Sequence, residues 1–377
     1  MSSAKRDIRL DALRGLFLVV MVMDHFPSWL NGLTYESIGY VTAAEGFVFL
    51  SGYVAGQVYG RYSAGETSRH LWWRAVLRAL RIYGYHATTL VILFTAAAVF
   101  KLKTFGLENW APQFYSHPLP ALGMGLILCY QPHFLDILPM YCLFILFTPV
   151  VVKSRKLWHF SAILTISLLA WLTVQFGAWK YFEDLFANIP TVYFGTFDPL
   201  AWQLLFILGV MAGKTKVFEF LSAHPLRKAL LAFCLIVAVG LYLLRHQVFL
   251  LHHLGINVNV DQTDSLATKN SLGPIRLLNF AVVAVIVGGY LVWPASNPCV
   301  KALGYLGRYS IQVFSFHLLT LYFVYGKFLH SSSRAAWACL SVLSLSIPAA
   351  ICHWARSTKT PACLKVPKTE LTKSNAE

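Results

Sequence analysis

An arginine and a histidine share one face of the first apolar segment of the chain. Arg14 and His25 are eleven positions apart in a mostly apolar run. At about 100° per residue, this spacing comes to about three helical turns, so the two side chains lie on one face, about 16 Å apart along the axis. Ionisable groups are costly to bury in a membrane and are therefore functional candidates. The imidazole suits a general base, and the guanidinium suits a carbonyl or phosphate group.

A carboxylate follows at a matching depth on the next predicted helix. Glu45 lies near the start of that helix, at about the depth of His25. His25 would deprotonate a hydroxyl, and Glu45 would orient the imidazole or stabilise its charged form. Arg14, deeper in the segment, would bind the donor. Together these groups predict acyl transfer through a membrane. The alternative is that His25 only reaches the interface and Arg14 fills a packing defect.

The composition requires a membrane setting for these residues. The chain has 377 residues, of which 57% are hydrophobic and 12% charged, and its mean hydropathy is +0.59. In soluble proteins about 25% of residues are charged. We therefore predict an all-α, polytopic helical bundle in a lipid bilayer. The formal charge of +15 is attributed to cytoplasmic loops, and no nucleic-acid-binding motif accompanies it, so no nucleic-acid partner is expected.

Ten apolar segments are predicted to be membrane helices. They cover residues 10–26, 42–60, 82–100, 134–152, 159–177, 198–213, 229–248, 275–293, 309–328 and 335–354. Most of the 31 Lys and Arg residues fall in segments that share a side with the N-terminus, which predicts that both termini are cytoplasmic. Residues 1–356 then form one membrane domain, and residues 357–377 form a polar tail that we expect to be disordered. Small residues of the second segment predict tight helix packing.

Three arginines recur at helical spacing on the predicted cytoplasmic side. Arg74, Arg78 and Arg81 lie in a loop that we predict from Arg61 to Arg81. Two interpretations are open. The arginines either follow the general excess of positive charge and contact anionic lipid headgroups, or they bind the phosphates of a cytoplasmic ligand.

Four further residues are candidates for a substrate pocket on the outer side. His133 and Asp136 are three positions apart near the outer face, and they either pair with each other or line a cavity. Trp202, near the start of the sixth helix, is an interface anchor, which we favour, or a platform for sugar stacking. His317 lies in a polar stripe of the ninth helix and is predicted to be an interior histidine or a pocket residue rather than a catalyst.

No metal site is predicted. The seven cysteines are scattered through apolar segments without metal-ligand spacing, and a disulfide framework is not expected. His252 and His253 are neighbours, but no further ligand follows them at zinc spacing. The sequence is compatible with a homo-oligomer and does not set the oligomeric state.

These motifs resemble a known family. Arg14 and His25 match the Arg/Lys-x10-His signature of membrane acyltransferase-3 proteins. More specifically, the chain is similar to the OpgC family, the osmoregulated periplasmic glucan succinyltransferases. The similar stretches are spread over nearly the whole chain, at residues 9–15, 43–56, 131–141, 198–203 and 304–317. The resemblance implies a ten-helix enzyme of the bacterial inner membrane that transfers a succinyl group from cytoplasmic succinyl-CoA to hydroxyls of a periplasmic glucan.

The resemblance also implies roles for individual residues. The shared motif makes His25 the catalytic base and Arg14 the donor-binding cation. Glu45, Asp136 and His317 stand at matching positions, and their roles are inferred. An acyl-CoA would be the donor substrate, with its phosphates at the three arginines of the cytoplasmic side, and no permanently bound cofactor is expected.

Two other classes of protein are compatible with the same residues. A transporter or flippase for a glycan or an anion would use the buried charges as a pathway. A non-catalytic scaffold for glucan synthesis would tolerate substitution of His25 and Arg14. The identity of the acyl group and of the acceptor sugar is left open by the sequence.

Overall fold

The computed structural model of the chain describes residues 7–26, 31–154, 156–253, 255–256, 258–291, 294–328 and 334–357. In these residues the regular structure is helical, and the only β pairing is an isolated bridge between Tyr130 and Tyr193. The predicted all-α class is therefore confirmed. The predicted polar tail lies, from residue 358 onward, outside the described residues.

The described residues form a series of long helices separated by shorter ones. In chain order they are α1 (Ile8–His25), α2 (Asn31–Thr34), α3 (Ala43–Ser63), α4 (Ser68–Val99), α5 (Phe105–Trp110), α6 (Pro112–Ser116), α7 (Pro118–Leu126), α8 (Ile137–Lys153), α9 (Leu157–Gln175), α10 (Ala178–Asp184), α11 (Pro199–Thr215), α12 (Val217–Ala223), α13 (Arg227–His246), α14 (Val248–His253), α15 (Val260–Leu266), α16 (Pro274–Gly289), α17 (Pro298–Arg308), α18 (Ser310–Phe328) and α19 (Arg334–Ser357). Each of the ten predicted segments coincides with one of them, namely α1, α3, α4, α8, α9, α11, α13, α16, α18 and α19.

The prediction of a loop from Arg61 to Arg81 is largely wrong, because most of these residues are helical. Helix α4 has 32 residues and begins at Ser68, where the side chain of Thr67 caps it by accepting a hydrogen bond from the backbone N–H of His70. Hydropathy detects only the apolar part of this helix, because its first turns are rich in arginine. Arg74, Arg78 and Arg81 therefore lie on a regular helix.

Four of the described helices are long and apolar enough to cross a membrane. They are α4, α9, α13 and residues 335–355 of α19. Helices α9 and α13 turn large apolar side chains outward, among them Ile166 and Ile236, which are 67% and 72% exposed. Exposed apolar surface on this scale is what a lipid environment covers.

Close backbone contacts join two pairs of helices. A Cβ atom on Gly52 of α3 would overlap the carbonyl oxygen of Phe206 in α11, and one on Gly209 would overlap the carbonyl oxygen of Phe49. Gly15 of α1 approaches α17 in the same way. Such contacts need small residues, so the predicted tight packing of the second segment is confirmed.

The loops collect at two opposite ends of the bundle. At one end, which we call the His25 end, the end of α1 lies with the starts of α3, α8, α11 and α16. At the other, which we call the Arg74 end, the start of α4 meets the end of α8, where Lys153 donates to the carbonyl oxygen of Glu66 at 2.8 Å. The candidate residues that were predicted for the outer side thereby lie at the same end as His25.

Candidate functional site

Two histidines from distant parts of the chain are hydrogen-bonded at the His25 end. His25 is the last residue of α1, and its Nδ1 lies 2.9 Å from Nε2 of His317 on α18. The two rings are stacked with centroids 5.1 Å apart. The pair therefore links the end of α1 to the interior of α18.

The partner of the second nitrogen of His317 fixes the proton positions. Nδ1 of His317 lies 3.1 Å from the carbonyl oxygen of Phe314. A carbonyl oxygen only accepts, so this Nδ1 carries the proton and Nε2 of the neutral ring is an acceptor. His25 must then donate from its own Nδ1, which leaves the lone pair on its Nε2. This tautomer is the one that a general base needs.

The two histidines differ in their surroundings. His25 is half-buried, whereas His317 is fully buried. Among the residues that the structure describes, no group forms a hydrogen bond with Nε2 of His25. The ring of Phe134 contacts the imidazole, with centroids 4.3 Å apart. The pair therefore joins a partly exposed imidazole to a fully buried one.

Asp24, next to His25, is hydrogen-bonded to residues of α2. Its backbone carbonyl accepts a hydrogen bond from Nδ2 of Asn31 at 2.7 Å, and its carboxylate accepts one from the hydroxyl of Thr34. Two consecutive residues of α1 are thus tied to different elements, Asp24 to the short helix α2 and His25 to α18.

Glu45 has a different partner from the predicted one. Its Oε2 accepts hydrogen bonds from the backbone N–H and the hydroxyl of Thr42, at 2.9 and 2.6 Å, and its Oε1 accepts from Nη1 of Arg276 at 2.9 Å. In the described part of the chain its bonds go to these two residues and not to His25. The predicted pairing of Glu45 with His25 is therefore corrected: the carboxylate caps α3 and neutralises a buried cation.

Arg276 is the centre of a buried charge network that the sequence did not reveal. Besides Glu45, it binds the carboxylate of Glu36 and donates from Nε to the carbonyl oxygen of Ala267 at 2.9 Å. Glu36 also accepts from Nε of Arg245 at 2.8 Å. One signal in the sequence points to this network, an arginine two residues after Pro274 at the start of an apolar helix.

Arg14 lies in the interior of α1 beside an acidic residue. Nη1 of Arg14 is 3.9 Å from Oδ1 of Asp11, one turn earlier, and Asp11 is buried. At 3.9 Å the contact is electrostatic rather than a hydrogen bond. Arg14 and His25 share the single helix α1, so their axial separation of about 16 Å is fixed by helix geometry.

His133 and Asp136 meet at a third residue. Oδ2 of Asp136 accepts from the backbone N–H of Thr196 at 2.8 Å, and the hydroxyl of Thr196 lies 3.1 Å from Nδ1 of His133. Burial lowers the pKa of His133, which keeps its ring neutral. The ring of Phe134 lies 4.3 Å from that of His133 and also contacts His25. The cluster therefore borders the histidine pair.

Trp202 is buried, so both predicted roles are corrected. Its ring is 0% exposed and its Nε1 donates to the carbonyl oxygens of Asn270 and Lys269, at 2.9 and 3.2 Å. An interface anchor and a sugar-stacking platform each need an exposed ring face. Trp202 instead holds the loop that precedes α16.

At the Arg74 end the three arginines differ in their surroundings. The guanidinium of Arg74 is paired with Glu66, with Nη2 2.7 Å from Oε1 and Nε 2.9 Å from Oε2. The hydrogen bond from Arg74 lowers the pKa of the Glu66 carboxyl. Arg78 is half-buried one turn further along α4, and Arg81 is exposed.

The fold and the histidine pair define a helical membrane protein with two hydrogen-bonded histidines at one end of the bundle. The sequence model described as "OpgC protein" (OpgC_C) matches residues 6–360, nearly the whole chain. The chain belongs to this family, which confirms the resemblance seen in its motifs and associates it with the modification of osmoregulated periplasmic glucans. No curated protein and no solved structure gives a match.

Proposed function

We propose that this chain is a membrane O-acyltransferase that transfers a succinyl group from cytoplasmic succinyl-CoA to hydroxyls of a periplasmic glucan. The observation that carries the proposal is the hydrogen bond between His25 and His317, since it presents the lone pair of His25 Nε2 as a base. Family membership and the apolar, helical fold support the proposal.

The reaction follows from this tautomer. Nε2 of His25 takes the proton of an acceptor hydroxyl, and the oxygen attacks the carbonyl carbon of the thioester. An ester bond forms, the carbon–sulfur bond breaks, and CoA leaves as a thiol that has received the proton. His317 holds the imidazole and accepts from it throughout. Glu45 supports the scaffold through Arg276 rather than through His25.

The other basic residues are proposed to serve the donor. Arg14, deeper on α1, would bind the thioester arm. Arg74, Arg78 and Arg81 would bind the phosphates of CoA at the Arg74 end. This assignment requires that the Arg74 end faces the cytoplasm and that ten helices cross the inner membrane. The excess of Lys and Arg in the segments of that side supports this orientation.

The test uses a bacterium without glucan acyltransferase activity of its own. Cells producing the wild-type chain should acylate their periplasmic glucans, as read by mass spectrometry, and His25→Ala should abolish the modification at an equal membrane level of the protein. His117→Ala is the matched control, because His117 is an exposed histidine outside the site. Undiminished acylation by His25→Ala would refute the mechanism.

Release of the CoA thiol separates this function from transport. Purified protein in lipid nanodiscs, supplied with succinyl-CoA and glucan, should release thiol in step with ester formation. A glycan transporter or a scaffold would release none.

A further inference from the structure

The loop before α16 is fixed by side chains from three helices. Its carbonyl oxygens accept hydrogen bonds from Trp171 (to Leu272, 2.8 Å), Gln175 (to Ser271, 2.7 Å), Trp202 (to Asn270, 2.9 Å) and Arg276 (to Ala267, 2.9 Å). Both Ala267 and Leu272 are buried. Trp202 also donates to the carbonyl oxygen of Lys269 at 3.2 Å, and a loop held at five carbonyl groups presents its side chains in a defined position.

Lys269 is the side chain that this loop presents to the His25 end. It is half-buried, and its Nζ lies 5.5 Å from the centre of the Tyr35 ring and 5.8 Å from that of Phe197. Aromatic rings at this distance attract a cation only modestly. Within the described ranges, no carboxylate or carbonyl oxygen binds its ammonium group. A partly buried ammonium without such a partner is a binding group for an anion.

The position of Lys269 relates it to the proposed base. Its aromatic neighbours adjoin residues that contact the site: Tyr35 follows Thr34, whose hydroxyl donates to the carboxylate of Asp24, the neighbour of His25. Phe197 follows Thr196, whose hydroxyl lies 3.1 Å from Nδ1 of His133. Tyr35, which it contacts, belongs to the loop that follows α2 and leads to α3. An anion on Lys269 would therefore lie beside the place where the acyl group is transferred.

We propose that Lys269 binds the terminal carboxylate of the acyl group and thereby selects a dicarboxylic acyl donor. The inference rests on the proposed function, because the carboxylate belongs to the donor. In a succinyl group the two carboxyl carbons are at most about 4 Å apart, from three carbon–carbon bonds of about 1.5 Å. A thioester carbonyl at His25 therefore leaves its carboxylate within reach of the same end, whereas Arg14 is about 16 Å deeper.

Competition between two donors tests the assignment. Purified protein in nanodiscs receives glucan with equal amounts of succinyl-CoA and acetyl-CoA, and mass spectrometry gives the ratio of succinyl to acetyl esters. Lys269→Met should lower this ratio by roughly tenfold to a hundredfold, the value of a hydrogen bond to a charged group. Lys269→Arg, which keeps the positive charge, should retain most of the preference for succinyl transfer. An unchanged ratio in Lys269→Met, or an equal loss of both esters, would overturn the proposal.

Lys180→Met is the matched control for this experiment. Lys180 is an exposed lysine on α10, outside the site, and its replacement should leave the ratio as in the wild type. If the wild-type chain transfers neither acyl group, the proposed function fails, and a second measurement then decides about the anion site.

Chemical labelling measures anion binding at Lys269 without requiring acyl transfer. An amine-reactive ester modifies Lys269, and the extent is measured by mass spectrometry of the corresponding peptide. Succinate should slow the labelling of Lys269, and the neutral diamide succinamide should not. Protection by glycerol phosphate without protection by succinate would assign the site to an anionic group of the acceptor and refute the selection of the acyl group.

Discussion

Arg276 donates a hydrogen bond of 2.9 Å to Glu45 across 231 positions of the chain. The two residues are 3% and 0% exposed, so both charges are removed from solvent. The pair joins the first turn of α3 to the first turn of α16, and Glu36, which lies between α2 and α3, binds the same cation. The network fixes the scaffold around the histidine pair.

Removal of the cation should destabilise the protein. Arg276→Met leaves the buried carboxylate of Glu45 without a cation and that of Glu36 with Arg245 alone, and is expected to lower the free energy of unfolding by about 3–5 kcal/mol. Thermal unfolding of the detergent-solubilised protein measures the loss, and Arg69→Met, at an exposed arginine, is the control. Glu45→Gln should also lower stability. If Glu45→Gln were as stable as the wild type but did not transfer acyl groups, Glu45 would have a catalytic role and not a structural one.

Loss of the acceptor on His317 should slow the chemical step. His317→Met removes the acceptor of the hydrogen bond from Nδ1 of His25, and kcat should fall by roughly a hundredfold, with little change in KM for either substrate. His317→Gln offers a side-chain oxygen near the position of Nε2 and should recover part of the rate. Steady-state kinetics distinguishes this positioning role from a packing role. If His317 only filled space, kcat of His317→Gln would not exceed that of His317→Met.

Release of Arg74 from Glu66 should favour donor binding. Glu66→Gln removes the carboxylate that competes with phosphate, so KM for the acyl-CoA should fall by up to about fivefold, the value of one exposed ion pair. The gain should shrink at high salt. Glu219→Gln is the control, since Glu219 forms an exposed ion pair with Lys216 at 3.3 Å. An unchanged KM would show that Arg74 has no part in donor binding.

The two glycines Gly15 and Gly84 should respond oppositely to a methyl group. In Gly15→Ala the new atom would overlap the backbone carbonyl of Leu303, and stability should fall by about 1–3 kcal/mol. Gly84 lies within α4, and no atom lies within reach of an added Cβ among the described residues. Gly84→Ala should therefore be neutral or stabilising by up to about 1 kcal/mol. Thermal unfolding compares the two variants, and equal melting temperatures would contradict the close contact of α1 with α17.

The ten long helices were predictable because each carries a long apolar run, and hydropathy reports such runs directly. The same method missed the first turns of α4, where arginines replace apolar residues in a helix that continues without a break. Charge counting assigns the loops to two sides of the membrane, and this assignment stays a prediction. The helical periodicity predicts that Arg14 and His25 share a face, and both residues do lie on the single helix α1.

Contacts between helices were not predictable from one sequence. The depth of Glu45 matched that of His25, but depth does not tell which neighbouring helix a side chain faces, and Glu45 faces Arg276 on α16 instead. The bond from His25 to His317 joins residues 292 positions apart and has no local signature. Trp202 is buried because a loop some 67 positions later folds over it.

The anchoring of Asp24 to α2 has a thermodynamic consequence for its neighbour. Asp24 holds the short helix α2 and His25 holds His317, so a displacement of one attachment is transmitted to the other through a single peptide bond. If an acceptor orders α2 on binding, it also narrows the range of positions open to the base. By linkage, the protein would bind the acceptor more tightly when His25 is already held in place. The gain in acceptor binding would equal the gain in the stability of the fixed His25 position on binding the acceptor.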